Sequence, residues 1–510
     1  MTSNFPFKVT ALLLAGLAAS NASSVGVARA AQGSTSGSAS GVAAVSSGAI
    51  RSAADGPTRA FYEARQWRAA WTPQAIEELR QVLGTRNGHG LDHLTFLEES
   101  ASAGDAAARD VAFTKAALRY AVALSRGAAD PNKIYDVYTL PGVQTNLVAG
   151  LNDALQKGSL ADWLNGLAPQ NEAYKVLSRA YVGAQMGAGQ SSSSIGGGGL
   201  IKEGDSGQRV QAVIQRLQEL GYLQSQQRGS TYISEVAQAV ERLQADYGLS
   251  IDGVVGPRTM DALTFDAAAR ARALAVALER MRWLERNPPA NRIDVNIAAA
   301  DLEYYRDGAL ADRRKVVVGE PANPTPQLQS GLYRLVANPT WTVPKSIERN
   351  ELANVSSSYL RNRDMVRKDG WIVQQSGPEN ALGLVKFDMD NKHAIYLHDT
   401  NAPHLFTEEQ RYFSHGCVRV EDALGFAETL ASDAQIMSDW QAARAEDKET
   451  FVRLPEQIPV RLVYQDVFVR DGQPVFRLDP YGWNDEVAVK LGFEAGSRKP
   501  IQLKARDIGP

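Results

Sequence analysis

Two stretches decide the reading of this chain: Ala394-Ile395-Tyr396-Leu397-His398-Asp399-Thr400 and Arg411-Tyr412-Phe413-Ser414-His415-Gly416-Cys417-Val418-Arg419-Val420. The first is an apolar run that ends on a histidine, the pattern of a strand delivering a polar side chain to a loop. The second holds the chain's single cysteine beside Gly416, whose missing side chain lets backbone and substrate approach closely. A thiol and an imidazole on neighbouring loops can form an activated pair, in which the thiolate attacks a carbonyl. A lone cysteine is also a common apolar filler of cores, so its surroundings have to decide.

Working outward, the pattern from Arg292 onward consists of short runs with turns between them: Lys315 to Val318, Gly331 to Val336, Ala381 to Phe387 and Ala394 to Leu397. These predict a β-rich domain over residues 291–470. A more polar stretch near 346–380 interrupts it and is expected to be a helical insertion acting as a lid. Strand-like runs resume at Val460 to Val469 and Val475 to Leu478, and 471–510 reads as a C-terminal extension. Upstream, Ala267 to Glu285 is helical and stops before Pro288-Pro289, so 266–290 is expected to complete a scaffold. Between 200 and 265 two amphipathic patterns, Val210 to Leu220 and Val236 to Tyr247, end at the helix-stopping glycines Gly221 and Gly248. A Ser- and Gly-rich linker, 187–199, precedes that module. Residues 58–186 have apolar and aromatic residues at helical spacing, including Phe61, Tyr62, Trp67 and Trp71, and predict the helical scaffold domain. Residues 31–57 are poor in large apolar side chains and read as a flexible linker.

At 510 residues and 44% hydrophobic content the chain can bury several cores, while a formal net charge of -3 supplies no global field toward nucleic acid or an anionic membrane. Lys8, the apolar run Val9 to Ala19 and Ala28-Arg29-Ala30 form the pattern of a secretory signal peptide over 1–30. Its apolar run of about eleven residues is too short for a spanning helix, which needs roughly 20, so no transmembrane segment is expected after cleavage. One cysteine rules out a disulfide within the chain. His89 and His93 are four apart but lie among glycines with no third ligand nearby, so neither a metal nor a cofactor is assigned.

The His398 segment and Ser414-His415-Gly416-Cys417-Val418-Arg419 resemble the signature of the L,D-transpeptidase (YkuD) catalytic domain. Val317-Val318-Gly319-Glu320, Thr325-Pro326 and Asn338-Pro339-Thr340-Trp341-Thr342-Val343-Pro344 resemble the larger, YcbB-like members. Gly204-Asp205-Ser206-Gly207, Leu220-Gly221-Tyr222, Ala239-Val240 and Asp252-Gly253-Val254-Val255-Gly256-Pro257-Arg258-Thr259 resemble the peptidoglycan-binding type 1 domain. The resemblance implies a multidomain α+β protein: a helical scaffold, a small three-helix peptidoglycan-binding module over 200–265, and a β-rich, sandwich-like catalytic domain with a lid.

By the same resemblance Cys417 is the nucleophile, His398 the base that takes its proton, and Ser414 the residue that orients His398. The backbone at Gly416 and Cys417 is placed to stabilise an oxyanion. Arg419 either steadies the motif or binds a substrate carboxylate. His415, two residues from Cys417, is the alternative base or a loop-shaping donor. Tyr396, Trp341 and Tyr412 are candidate substrate-groove residues, with core packing as the plainer role. The implied reaction is cross-linking of peptidoglycan tetrapeptide stems through a Cys417 thioester, 3→3 between diaminopimelate residues. A carboxypeptidase or endopeptidase using the same thioester, and a noncatalytic wall-binding protein, are the alternatives. N-terminal sequencing of the exported protein is expected to begin at Ala31; a chain still starting at residue 1 would refute the signal peptide.

Overall fold

The computed structural model describes residues 45–98, 105–187, 195–224, 229–477, 479–496 and 509. The expected signal peptide and the first part of the expected linker lie outside the described residues. Within that linker the helix Ser47–Ala53 forms, with Ser46 capping its start through Ala49 N at 3.1 Å. Its Ile50 is fully buried, so this part of 31–57 is docked and not a free linker. One large apolar side chain suffices because the long helix Ala106–Arg126 presents a surface for it.

The scaffold consists of the helices Gly56–Ala64, Pro73–Gly84, Ala106–Arg126, Leu147–Lys157, Leu160–Leu167 and Glu172–Gly187, and the last packs along Ala267–Trp283. The wall-binding-type module sits between those two helices in sequence. Its helices Gln208–Glu219, Ser234–Tyr247 and Pro257–Thr264 follow the apolar spacing, and Gly248 closes the second in the left-handed conformation at φ 63°.

The catalytic domain is built on strands β1 (Arg292–Asn296), β2 (Asp301–Arg306), β3 (Ala309–Gly319), β4 (Leu328–Ala337), β5 (Trp341–Thr342), β6 (Met365–Lys368), β7 (Trp371–Gln374), β8 (Val385–Met389), β9 (Leu397–His398), β10 (Tyr412–Ser414), β11 (Val418–Val420) and β12 (Thr450–Val463). Nine of them form one sheet in the order β10-β3-β11-β9-β8-β4-β12-β1-β2, and β2 pairs back onto β3. The first half of β3 pairs with β2 and the second half with β11, so the sheet closes on itself. Val316, Val318, Leu335, Phe387, Leu397, Val418 and Leu462 fill the interior.

Three expectations change. Residues 341–382 are not a purely helical lid: β5, β7 and β6 make a three-stranded sheet beside the helices Lys345–Glu351 and Ser357–Arg361, around Trp341, Val343, Ile347 and Ile372. Ala394 to Leu397 is strand only at its end, because Ala394 adopts φ 55°, a left-handed conformation outside the β region. The expected boundary at 470 falls inside the hairpin β13 (Val467–Arg470) and β14 (Gln473–Phe476). That hairpin and the helix Asn484–Lys490 belong to the scaffold core, where Val467, Phe476, Val487 and Leu491 pack with Leu274 and Leu278. Among the described residues no helix is long and apolar enough to cross a membrane.

Arg280 fastens the scaffold to the end of the catalytic sheet. Its Nη1 donates to Asp466 Oδ1 at 2.7 Å and to Asn484 Oδ1 at 2.6 Å, and both charged side chains are only 1% exposed. Breaking a buried pair strands the partner's charge. Asp466→Ala is therefore expected to destabilise the junction by about 3–5 kcal/mol, read by calorimetry as a lower midpoint for the transition that includes the scaffold.

Candidate active site

The site forms where short strands are forced into adjacent rows. β9 and β11 run parallel with Leu397 opposite Val418 and His398 opposite Arg419, and β8 lies antiparallel to β9 with Lys386 opposite His398. Residues opposite one another share a face of the sheet. Lys386, His398 and Arg419 therefore stand side by side, and Tyr396, two residues before His398, joins them.

The cysteine is presented by a braced turn. Ser414 Oγ donates to Cys417 O at 2.6 Å and accepts from Gly416 N at 3.2 Å, and Thr325 Oγ1 donates to Gly416 O at 2.9 Å. Gly416 has φ 115°, in the range open to glycine, with no heavy atom closer than 3.7 Å to where a Cβ would sit. Backbone conformation and not crowding selects glycine here.

Cys417 is 6% exposed and packs in the barrel core. Its Sγ donates to Ala394 O at 3.7 Å. Burial pushes the thiol up to about 11, against the pull of the Tyr396 backbone and phenol and of the Lys386 and Arg419 charges. His398 is fully buried, and its ring sits edge-on to Tyr396 with centroids 5.6 Å apart. Burial holds this imidazole well below the usual histidine range, and the Arg419 and Lys386 charges add to the effect. Around neutral pH burial thus favours the thiol form of Cys417 and the neutral imidazole of His398.

The two histidines are separated by geometry. His415 turns away from the sulfur: its Nε2 lies 2.6 Å from Glu351 Oε1 on the inserted subdomain, and its Nδ1 lies 2.7 Å from Gly509 O. The expected orienting role of Ser414 does not match its side-chain hydrogen bonds, which among the described residues stay within the cysteine turn, while no side chain hydrogen-bonds the His398 ring and only the Asp399 backbone acts on it. Gly416 N–H is likewise engaged by Ser414 and is not a vacant oxyanion donor. Of the candidate groove residues, Tyr396 stands at the site, with Lys386 Nζ 4.3 Å from its ring centre. Trp341 belongs to the core of the insertion and its side chain reaches the Tyr396 phenol, while the Tyr412 phenol donates to Ala298 O at 2.7 Å and Tyr412 lines a separate cavity beside Arg411 and Arg477. Arg419 is buried, and its guanidinium lies 2.8 Å from where a Cβ on Gly509 would sit.

Lys386 and Glu351 are the site residues that sequence reasoning missed. Only the cross-strand register gives the first, and only the seating of the insertion gives the second.

The fold joins a β-rich domain, with a buried cysteine and histidine on or beside adjacent strands, to a small three-helix module. Residues 290–452 match the model of the YkuD L,D-transpeptidase catalytic domain, 56–180 that of a scaffold domain, and 206–263 that described as "Putative peptidoglycan binding domain". The chain thus carries an L,D-transpeptidase catalytic domain together with a peptidoglycan-binding type 1 domain.

It is 32% identical over 225 residues to a "Putative L,D-transpeptidase" of Haemophilus influenzae, covering 39% of this chain and 45% of that protein. It is 30% identical over 127 residues to the N-acetylmuramoyl-L-alanine amidase CwlL of Bacillus licheniformis, covering 24% and 35%. The chain spans less than half the length of both curated relatives. The crystal structure of an L,D-transpeptidase from Xylanimonas cellulosilytica aligns at 18% identity and a TM-score of 0.20, over 53% of this chain and 100% of that one.

With its thiol pushed well up by burial, Cys417 carries little thiolate at pH 7. Raising the pH increases that fraction, so alkylation by iodoacetamide is expected to accelerate about tenfold per pH unit from 6 to 9. A plateau below pH 8 would reveal a preformed thiolate–imidazolium pair.

Proposed function

We propose that this chain is an extracytoplasmic L,D-transpeptidase that cross-links peptidoglycan through a thioester on Cys417, with His398 as base. The observation that carries the reading is the β8–β9–β11 register, which gathers Lys386, His398 and Arg419 in one row beside the turn of the single cysteine.

In the proposed cycle the His398 imidazole takes the Cys417 proton as sulfur attacks the carbonyl of the third residue of a tetrapeptide stem. Coupling these two events suits a pair that starts neutral. The amide C–N bond breaks, His398 returns the proton to the departing amine of terminal D-Ala, and a thioester remains. An acceptor amine, on a diaminopimelate side chain for a 3→3 link, then attacks that thioester. The amine loses its proton to His398, and the thiol is regenerated. The Cys417 N–H is the candidate donor to the oxyanion, since Gly416 N–H serves the turn. Tyr396 and Arg419 flank the sulfur, where a phenol and a buried cation can hold the stem and offset negative charge developing on the carbonyl oxygen.

Access depends on the inserted subdomain, because the thiol and imidazole are both buried. The contact between His415 and Glu351 ties the cysteine turn to that subdomain, and substrate entry therefore opens it.

Incubation with purified muropeptides is expected to yield cross-linked dimers and free D-Ala, and Cys417→Ala to abolish both. Residual dimer formation by that variant would sink the thioester. Wild-type protein that gives only shortened stems would favour hydrolysis. A carbapenem is expected to leave a single covalent adduct in the intact mass, absent from Cys417→Ala, because its β-lactam carbonyl is open to the same thiolate attack.

A further inference from the structure

Where the peptidoglycan-binding module meets the catalytic domain, a cavity of about 420 Å³ opens between the segment around Tyr247 to Arg258 and the start of β10. It is separate from the Cys417 turn. Five cations line it, Arg258, Lys315, Arg411, Arg470 and Arg477, against the carboxylates of Asp301 and Glu409.

Both carboxylates are already committed. Asp301 takes Arg411 at 3.3 Å and Arg470 at 2.6 Å, and Glu409 takes Arg258 at 2.8 Å. Lys315 reaches Glu421 at 3.7 Å, outside the cavity lining. Arg477 is left without a carboxylate in salt-bridge range among the described residues. Its Nη1 donates only to Phe476 O at 2.9 Å, and its guanidinium stands 5.3 Å from the centre of the Phe468 ring. Gly248 makes room for that guanidinium, since a Cβ there would collide with it. Burial pushes Arg477 below the usual arginine range, against the pull of the Tyr412 phenol and the Asp301 carboxylate, and the Arg470 and Arg411 charges add to the lowering. At the rim, Ile251 of the module is 63% exposed and offers an apolar contact beside the charge.

We propose that this cleft is a second peptidoglycan subsite, in which Arg477 and its neighbours bind the carboxylates of a stem peptide while Ile251 packs on the stem. A planar guanidinium short of a partner in a part-buried cleft is suited to bidentate carboxylate recognition. The proposal rests on the reading of the chain as acting on peptidoglycan. It assigns the junction the task of holding a stem near the nucleophile: Arg411 at the cavity is six residues from Cys417, at most about 20 Å of chain.

The test uses the full chain carrying Cys417→Ala, so that no turnover intervenes, and calorimetric titration with purified disaccharide-tetrapeptide. Arg477→Gln is expected to weaken binding about fivefold or more, and Arg477→Lys to recover only part of it, since an ammonium keeps the charge but not the bidentate fork. The same ligand with its carboxylates amidated is expected to bind the parent as weakly as the natural ligand binds Arg477→Gln. Equal affinity of parent and Arg477→Gln, or indifference to amidation, would overturn the subsite. The amidation comparison uses the parent alone and does not depend on how well an Arg477 variant folds. Acylation of the protein that retains Cys417, followed by intact mass, reports on the nucleophile separately. Normal stem binding without acylation would sink the thioester reading and leave the subsite standing, and the reverse result would sink the subsite alone.

Discussion

The site hangs on a ladder of two rungs, Leu397 opposite Val418 and His398 opposite Arg419. A strand as short as β9 holds its own register weakly, and a slip of one residue would turn His398 to the other face of the sheet. The surrounding bonds prevent the slip. Val418 N donates to Tyr396 O at 3.1 Å, and Gly319 N donates at 2.8 Å to the same Thr325 hydroxyl that holds Gly416 O. Thr325 thus connects the end of β3, the loop after it and the cysteine turn. The positive φ of Gly416 lets the chain reverse between β10 and β11 without pulling that bond out of line.

Two cations beside a buried imidazole carry an electrostatic consequence. Lys386 and Arg419 disfavour a second positive charge on His398 and favour a negative one on sulfur. They pull the resting pair in compatible directions, yet burial dominates for the thiol. Burial therefore favours the uncharged form of both groups. Asp388 balances Lys386, which it takes at 2.7 Å, and also takes Arg334 at 2.5 Å.

Much of this was legible in the sequence because it is written locally. The helices of the module follow from apolar spacing and their glycine stops, and the His398 and Cys417 segments are adjacent in the chain to the strands that carry them. What stayed hidden depends on distant partners. β6 and β7 have only four residues each, Met365-Val366-Arg367-Lys368 and Trp371-Ile372-Val373-Gln374, so no alternation marked them. The hairpin β13–β14 and the helix Asn484–Lys490 place Val467, Phe476, Val487 and Leu491 against scaffold helices some two hundred residues earlier, and nothing nearby in the chain announces that. Ser414 was read from its motif position as a support for His398, but a serine three residues from a carbonyl finds the local bond first. The contacts of His415 with Glu351 and Gly509 join segments that no spacing connects.

The peptidoglycan-binding module leaves the scaffold after Gly187 and returns at Ala267, and a Cβ on Gly187 would sit 3.3 Å from that of Ala267. Entry and exit therefore meet at one point. An excursion of roughly eighty residues closed at such a point carries a loop-closure entropy cost of about 4 kcal/mol if it is still a flexible coil when the two scaffold helices pair. The module can remove much of that cost by folding first. The bridge between Ile201 and Val255 brings its opening segment against the stretch just before its last helix, and so shortens the effective loop. A module that is folded before the flanking helices pair therefore lowers the closure cost of joining them.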